Sequence, residues 1–420
     1  MKKNTGTRSR PENVLALVVA ALEQSDQGFP LQGMIPNDHP DARIAQNLLL
    51  TIVRHQAVID WILDGLASRR IRPRLRRVLR WGVCQILYMQ GLPDAVVTDT
   101  CAHFVKKRYD KREAGFVNAV LRQIVAGPAD RFLEAVSTEA PLHVRLELGQ
   151  AVYRKWAARF SESELQELAA VLLEPVPVTA RLRAGAPMPQ LSFMTSMAAP
   201  SWAPDARLWL CHDPKHFFQS TECRRGDFYV QDPATLLAPA LLKVRPGETV
   251  ADLCVAPGGK ALQMAEAMQG QGRLFCLDRS ARRMQRVRQN LAGQPHCFLA
   301  VGDAITPPLS RGAFDAIMLD VPCSNTGVIR RRPDVRWHFS AKKLNELVVM
   351  QQQILQSASS LLKPGGRLVY STCSIEPEEN AGQIGRFLAN SAQFKLAEEV
   401  EILPTLQHDG AYSALLLRDS

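Results

Sequence analysis

The stretch TVADLCVAPGGKALQMAEAM, residues 249–268, decides the fold of the C-terminal half of this chain. A short apolar run is followed by a glycine-containing turn and a helical pattern, which predicts a strand, a tight turn and a helix. Further apolar runs follow, and each ends in polar or reactive residues: RLFCLD, HCFLAVGD, FDAIMLD and GRLVYST. This alternation predicts βαβ units and the Rossmann-like α/β class, a doubly wound parallel sheet with helices on both faces.

The N-terminal part has a different rhythm. From residue 11 to about residue 135, apolar residues recur at helical spacing, as in Leu75, Val78 and Leu79. We therefore predict an all-α domain over residues 1–140 and the α/β domain over residues 230–420. Residues 141–229 are rich in proline, alanine and serine with weak periodicity, which indicates a connector subdomain.

The composition is that of an ordinary soluble protein. Of the 420 residues, 46% are hydrophobic and 22% are charged, and no window is apolar enough to span a membrane. The nine cysteines are scattered, without a CxxC pair or a zinc-ligand spacing. We expect a reduced, cytoplasmic protein that is a monomer and needs neither a metal nor a membrane.

Basic residues are in excess and clustered. The formal net charge is +10, and arginines concentrate in SRRIRPRLRRVLR (68–80) and GVIRRRPDVRW (327–337). Such clusters form either a solvated surface or a surface that binds the phosphates of a nucleic acid. We predict phosphate contacts for Arg72, Arg76, Arg80, Arg330, Arg331, Arg332 and Arg336.

The turn after the first α/β strand has the composition of a ligand-binding loop. It matches neither the dinucleotide fingerprint nor the P-loop, which disfavours a pyrophosphate or triphosphate ligand. Aspartates end the next strands, and carboxylates there suit an adenosine with a positive centre, as in S-adenosylmethionine. The alternative is that each aspartate only caps the helix after it. The predicted cofactor-binding residues are Cys254, Val255, Ala256, Pro257, Gly258, Gly259, Lys260, Asp278, Asp303 and Asp320.

Two cysteines each follow an apolar run: Cys323 in LDVPCSNTGV and Cys373 in VYSTCSIEPEEN. Because the carboxyl ends of parallel strands meet at one edge of a sheet, both thiols are expected to face one pocket. A thiol pair beside a cofactor loop predicts covalent chemistry on a carbon that does not react unaided. Lys260 is a candidate cation for lowering a thiol pKa. The alternative, two packed core thiols, fits the side chains of Cys254, Cys276 and Cys297 better.

Several motifs resemble a known family. DLCVAPGGK, LDVPCSNTGVIRRRPDVRW and YSTCSIEPEEN resemble signature motifs of the NOL1/NOP2/Sun family of RNA 5-methylcytosine methyltransferases. FYVQDPATLLAPALLKVRPGE resembles the segment before the cofactor loop in that family, and GFVNAVLRQI resembles the NusB-like RNA-binding domain. The combination resembles the bacterial Sun/RsmB branch, which methylates small-subunit (16S) ribosomal RNA.

The resemblance implies residue roles and a function. Cys373 would be the nucleophile, Cys323 would assist release, Asp320 would hydrogen-bond ring nitrogen 3 of the base, and Lys260 would be the cation. The connector would be a small RNA-docking subdomain. The implied function is methyl transfer from S-adenosylmethionine to carbon 5 of a cytosine in ribosomal RNA through a covalent cysteine–RNA intermediate. Two alternatives stay open. One is the same chemistry on transfer RNA, and the other is a non-catalytic RNA-binding factor for ribosome assembly or antitermination.

Overall fold

The structure, a computed structural model, describes residues 11–89 and 91–420 and divides into two compact units. The helical unit comprises the described residues up to Leu173 together with Arg332–Phe339. The sheet unit comprises Glu174–Arg331 and Ser340–Ser420. The division into three domains at residues 140 and 229 stays a prediction.

The helical unit is built from amphipathic helices whose apolar faces form one core. Its helices are α1 (Pro11–Asp26), α2 (Ala42–Arg54), α3 (Gln56–Leu66), α4 (Pro73–Cys84), α5 (Asp94–Arg108), α6 (Lys111–Val125), α7 (Ala129–Glu139), α8 (Leu142–Arg145), α9 (Gln150–Ala157), α10 (Glu162–Leu173) and, from the later segment, α16 (Val335–His338). The predicted all-α character of the N-terminal part is confirmed.

Helix α4 illustrates how the sequence specifies this unit. Pro73 occupies the first helical turn, where its missing N–H would have no helical partner anyway. Leu75 and Val78 are buried in the core. A Cβ added at Gly82 would lie 2.8 Å from Leu121 Cδ2, so a larger residue at position 82 would require the Leu121 side chain of α6 to shift.

The sheet unit begins with a small antiparallel sheet in the order β2-β3-β1-β4. Its elements are β1 (Val178–Leu182), β2 (Met194–Met197), β3 (Leu208–Cys211), α11 (Pro214–Gln219), α12 (Thr221–Arg225) and β4 (Phe228–Val230). Phe217 and Phe228 are buried against Ala180 and Leu182 and give this sheet its own apolar cluster.

The large sheet has the order β10-β11-β9-β8-β5-β6-β7. Its elements are α13 (Leu237–Leu242), β5 (Thr249–Asp252), α14 (Gly259–Ala267), β6 (Arg273–Asp278), α15 (Ala281–Asn290), β7 (Cys297–Val301), β8 (Phe314–Asp320), α17 (Ala341–Leu361), β9 (Leu362–Thr372), α18 (Ala381–Ala389), β10 (Phe394–Ile402) and β11 (Ala411–Arg418). Strands β5 to β9 pair in parallel, and β10 and β11 extend the sheet in antiparallel fashion. The predicted Rossmann-like α/β class is confirmed.

The strand order reverses between β5 and β8. The chain adds β6 and β7 on one side of β5, and β8 and β9 on the other. The carboxyl ends of the strands at such a switch point border a crevice in which ligands bind. Asp320 at the end of β8 pairs in register with Ser371 of β9, so the loops that follow these strands leave the sheet side by side.

Candidate active site

Cys323 and Cys373 are in contact at the carboxyl edge of the large sheet, with their sulfur atoms 3.3 Å apart. Cys323 lies in the loop after β8, and Cys373 follows β9 directly. Cys323 is buried, with 8% of its surface exposed, whereas Cys373 is partly exposed. The pairing of β8 with β9 therefore brings together the two thiols that the sequence predicted to face one pocket.

The two thiols have different surroundings. The hydrogen bond with Cys373 raises the pKa of Cys323 well above its ordinary value, and burial and the charge of Glu379 raise it further. The Cys323 thiol therefore keeps its proton at neutral pH. The Cys373 thiol donates a hydrogen bond to Asn325 Oδ1 over 3.2 Å.

Asn325 contacts both cysteine residues, and the sequence reasoning missed it. Its Nδ2 donates to the backbone oxygen of Cys323 over 2.7 Å while its Oδ1 accepts from the Cys373 thiol. Its φ of 63° lies in the left-handed region, which asparagine tolerates better than most residues. The sequence feature that could have identified Asn325 is its position in a turn, two residues after Cys323.

Glu379 is a second residue that the sequence reasoning missed. This carboxylate is completely buried, and its Oε1 accepts from the backbone N–H of Ser324 over 2.9 Å and from Gln351 Nε2 over 2.8 Å. Its Oε2 accepts from Ser324 Oγ over 2.5 Å. Gln351 of α17 also donates to the backbone oxygen of Pro322 over 2.9 Å, so Glu379 and Gln351 together hold the loop on both sides of Cys323.

Lys260, near the start of α14, forms an ion pair with Asp320, with 2.5 Å between Nζ and Oδ1. Burial lowers the pKa of Lys260, but the charge and hydrogen bond of Asp320 and the nearby Cys373 sulfur outweigh burial, so the pKa is raised above its ordinary value. Lys260 is therefore a cation at neutral pH. The structure brings together the four predicted catalytic residues Cys373, Cys323, Asp320 and Lys260.

The predicted cofactor loop is a tight turn between β5 and α14. Gly258 has a φ of 104°, a left-handed conformation that glycine adopts without strain. A Cβ added at Gly259 would lie 2.8 Å from a ring carbon of Tyr229, so the close packing needs glycine. The turn contains the predicted loop residues Cys254, Val255, Ala256, Pro257, Gly258 and Gly259.

Carboxylates line the same edge of the sheet. Burial raises the pKa of Asp252 to about 7, and the neighbouring charge of Asp320 adds to this. Asp278 ends β6 and accepts from the backbone N–H groups of Ala256 over 3.3 Å and Ser280 over 2.9 Å. The charges of Asp320 and Asp278 contribute less to this pKa than burial does, but they show that the three carboxylates lie close together. Neighbouring carboxylates suit a ligand with a positive centre.

Asp303 lies two residues after the end of β7 and is exposed. Its Oδ1 accepts from the backbone N–H of Ile305 over 2.9 Å. Asp278 and Asp303 thus each stabilise the turn after a strand. Neither caps a helix as the alternative expected, because Ser280 is the N-cap of α15 and β8 is the next element after β7. A carboxylate offers about four acceptor positions, so both keep capacity for a ligand.

The arginines near α4 are paired within the helical unit. Arg72 Nη1 lies 2.5 Å from Glu113 Oε1, and Arg76 Nη1 lies 3.3 Å from Asp60 Oδ1. Arg80 is only 7% exposed and donates two hydrogen bonds to Asp60, over 2.9 and 2.7 Å. The phosphate contact predicted for Arg80 is corrected, because its guanidinium is buried and already paired; those of Arg72 and Arg76 stay predictions.

Two arginines after Cys323 are structural. Arg330 is 3% exposed and donates to the backbone oxygen of Pro175 over 2.7 Å. Arg336 is 1% exposed and donates to the backbone oxygen of Glu147 over 2.8 Å. The phosphate contacts predicted for both are corrected, because both guanidinium groups are buried and donate to backbone carbonyls.

For Arg331 and Arg332, the predicted phosphate contact is compatible with the structure. Arg331 is partly exposed and pairs with Asp232 over 2.8 Å and with Asp409 over 2.5 Å. Arg332 is partly exposed. Phosphate contact by these two residues therefore stays a prediction.

Across residues 11–89 and 91–420, no helix is long and apolar enough to cross a membrane. Over the same described ranges, no group of three or more histidine, cysteine, aspartate or glutamate side chains is arranged to hold a metal ion. The side-chain polar groups described at the site are thiols, carboxylates, the amides of Asn325 and Gln351, the Ser324 hydroxyl and the Lys260 ammonium group.

Comparisons with solved structures agree with the fold. The structure of PH0851 superposes with a TM-score of 0.76 at 23% identity and covers 97% of this chain and 99% of that chain. A methyltransferase homolog protein from Pyrococcus horikoshii superposes with a TM-score of 0.56 at 24% identity and covers 66% of this chain and 97% of that chain. At these identities, the likeness shows the fold alone.

Sequence comparisons identify the family. The profile of the family described as "16S rRNA methyltransferase RsmB/F" matches residues 239–411, and that of the NusB family matches residues 12–126. Ribosomal RNA small subunit methyltransferase B of Erwinia tasmaniensis is 30% identical over 446 aligned residues, covering 100% of both chains. The protein of that name from Cronobacter sakazakii is 31% identical and covers 91% of this chain and 92% of its own. The chain therefore belongs to the RsmB/F family of methyltransferases and carries that family's catalytic region behind a NusB domain.

Proposed function

We propose that this protein methylates carbon 5 of a cytosine in small-subunit ribosomal RNA, with S-adenosylmethionine as the methyl donor and a covalent bond between Cys373 and the RNA. The observation that carries the proposal is the contact between the Cys323 and Cys373 sulfur atoms beside the Lys260–Asp320 ion pair. The names of the relatives support ribosomal RNA as the substrate.

A thiol is needed because carbon 5 of cytosine is a poor nucleophile. When the Cys373 sulfur bonds to carbon 6, the electrons of the C5–C6 double bond become available at carbon 5. Carbon 5 would then bond to the methyl carbon as the bond from that carbon to the sulfonium sulfur breaks, and S-adenosylhomocysteine would leave. A base then takes the proton from carbon 5, and the electrons of that C–H bond restore the double bond as the bond between sulfur and carbon 6 breaks and Cys373 leaves as a thiolate. This is nucleophilic covalent catalysis, in which a difficult step is divided into easier ones.

The unequal surroundings support unequal roles for the two thiols. Cys373 is partly exposed, so its sulfur is accessible to a base. Cys323 is buried and its pKa is raised, so it meets the adduct as a protonated thiol. We assign attack to Cys373 and assistance of its release to Cys323.

Asp320 and Lys260 would stabilise the charge that develops on the cytosine during the reaction. Asp320 would hydrogen-bond ring nitrogen 3 of the cytosine and stabilise the adduct while carbon 6 is bound to sulfur. Its ion pair with Lys260 fixes the orientation of both side chains at the edge of the sheet. Preorganised groups of this kind stabilise a developing charge without having to rearrange during the reaction.

The cofactor loop and the strand-end acids would hold the methyl donor. S-adenosylmethionine supplies a methyl group on a positively charged sulfonium, which is the electrophile. The turn at Gly258 would let the backbone approach the ligand, and Asp278 would accept hydrogen bonds from the ribose hydroxyls. Asp303 would meet the adenine amine.

The test is methyl transfer by the purified protein from labelled S-adenosylmethionine to small-subunit ribosomal RNA, with transfer RNA as the comparison substrate. We expect label in the ribosomal RNA at a cytosine that resists bisulfite conversion. Label in transfer RNA alone would overturn the substrate. Label without a bisulfite-resistant cytosine would overturn the position of methylation.

A further inference from the structure

A second arginine-rich helix lies next to the cofactor loop. Residues 279–292, RSARRMQRVRQNLA, contain arginine but neither aspartate nor glutamate. Met284 and Val287 are buried and fix which side of α15 faces the core. Four arginines of this segment, the α15 arginines, are exposed and point away from that core: Arg279, Arg282, Arg286 and Arg288.

The α15 arginines differ from those of α4 in their partners. Helix α4 also lacks acidic residues of its own, but acids on other helices neutralise it; Arg77, for example, pairs with Glu23 over 3.0 Å and with Asp26 over 2.7 Å. In the described residues of the sheet unit, no carboxylate forms an ion pair with any α15 arginine. The neighbouring Arg283 does have one, with Asp278 at 3.3 Å.

Interactions within the helix do not explain why arginines are concentrated on α15. Arg282 and Arg286 are four residues apart on one face of the helix, where two like charges destabilise a helix slightly. A cluster of unpaired cations retains its full attraction for a polyanion, whereas cations already paired with carboxylates must first lose those partners. The α15 arginines therefore form a surface better suited to bind phosphates than to stabilise the fold.

Helix α15 is joined to the predicted cofactor loop. Arg283 donates to the backbone oxygen of Ala256 over 2.5 Å, and Asn290 donates to the backbone oxygen of Pro257 over 2.8 Å. Asn290 also donates to the hydroxyl of Tyr229 on β4 over 3.2 Å. A polyanion held on the exposed face of α15 would therefore lie beside the edge that carries the active site.

We propose that the α15 arginines bind the sugar–phosphate backbone of the substrate RNA next to the target cytosine. This inference rests on the proposed function, which supplies the RNA as the partner. Guanidinium groups match phosphate oxygens through paired N–H donors, and an RNA strand presents such phosphates in series. Contacts of this kind position the RNA without reading its sequence.

The test compares RNA binding by the wild-type protein and by the double variant R282Q/R286Q over a series of salt concentrations. The two residues touch neither the thiols nor the cofactor loop in any described contact. Each lost phosphate contact makes the slope of log affinity against log salt shallower by about 0.7 on single-stranded RNA. We expect a slope shallower by about 1.4 for the pair, with several-fold weaker binding at low salt.

The matched control is K342Q/K343Q, which removes two exposed positive charges from α17 and leaves α15 intact. Wild-type binding in this control supports a local surface on α15. Equal losses in both double variants would show an effect of net charge alone and overturn the proposal. An unchanged salt slope in R282Q/R286Q would overturn it as well.

Two further measurements separate phosphate binding by α15 from a folding defect and from the proposed function. R282K/R286K retains both charges, so we expect it to recover most of the wild-type slope; failure to recover would overturn phosphate binding through charge. Thermal unfolding of R282Q/R286Q is expected at the wild-type temperature or slightly above it, because a like-charge pair is removed. If the wild-type protein binds ribosomal RNA through α15 but does not methylate it, the proposed function fails and this inference stands.

Discussion

The two segments that carry the thiols leave neighbouring strands, yet they hold their cysteines in different ways. Cys323 is buried in the loop after β8, where Asn325 of the same loop and Glu379 from another segment hold the backbone. Cys373 follows β9 directly, is partly exposed, and donates its thiol hydrogen to Asn325. The difference shows that position in the sheet brings two thiols together, while burial and nearby charge make one of them accessible and keep the other protonated.

The largest expected effect is from Cys373→Ala. Removing the nucleophile should lower the rate of methyl transfer by about three orders of magnitude or more, because a catalytic unit fails when its attacking group is lost. Transfer of labelled methyl to ribosomal RNA measures this. Cys297→Ala, at the opposite end of the sheet where β7 begins, is the control and should keep wild-type activity. Substantial activity in Cys373→Ala would reverse the assignment of the two thiols.

Cys323→Ala should separate attack from release. The first methyl transfer should still occur, but the RNA should stay bonded to Cys373, so that a protein–RNA adduct accumulates and turnover stops. A denaturing gel with labelled RNA detects the adduct. Free turnover without adduct would mean that the buried thiol has no part in release, and that the difference between the two loops is a matter of packing.

Asn325→Ala should have a smaller effect. The Cys373 thiol would lose its acceptor, and one lost hydrogen bond corresponds to about 1 kcal/mol, or about fivefold in rate. We expect kcat to fall while KM for RNA is unchanged, because Asn325 positions the sulfur and does not hold the RNA. Asn325→Asp offers the acceptor together with a negative charge and should disfavour the thiolate, moving the pH profile of kcat to higher pH. A change confined to KM would contradict this role.

The smallest expected effect concerns the charge of Glu379. Its carboxylate raises the pKa of Cys323, so the neutral Glu379→Gln should lower that pKa and move alkylation of Cys323 to lower pH. Cys373→Ala should move it further in the same direction, because the hydrogen bond with Cys373 is the larger cause. Alkylation rates of Cys323, followed by mass spectrometry across pH, measure both shifts. The reverse order would mean that Glu379 dominates the environment of Cys323.

Local patterns predicted the strands and the thiol pair well. RLFCLD and FDAIMLD are strands β6 and β8 over their full lengths, and both end in the aspartates that the sequence singled out. Short apolar runs bounded by turn residues depend mainly on neighbouring residues, and parallel strands share a carboxyl edge wherever they form. The partners of Cys323 were not accessible in this way, since Glu379 and Gln351 come from other segments of the chain.

The arginine clusters show the same difference between what local sequence predicts and what depends on distant segments. By sequence, α4 and α15 look alike, because both are arginine-rich and neither contains an acidic residue. In the structure, acids from other helices pair with the arginines of α4. Among the described residues of the sheet unit, Arg283 pairs with Asp278, whereas Arg279, Arg282, Arg286 and Arg288 form no ion pair. The phosphate contact predicted for Arg80 fails for this reason, and the exposed face of α15 was not singled out at all.

The sequence by itself therefore determined the order of elements, the Rossmann-like sheet behind a helical domain, and the residue types at the strand ends. Periodicity and turn chemistry act over a few residues, so they are legible in the chain. Only the tertiary structure decided which thiol is buried, which carboxylate holds its loop and which arginines keep an unpaired charge. Those properties depend on groups that meet only after folding, because burial and electrostatic pairing are set by distance in space.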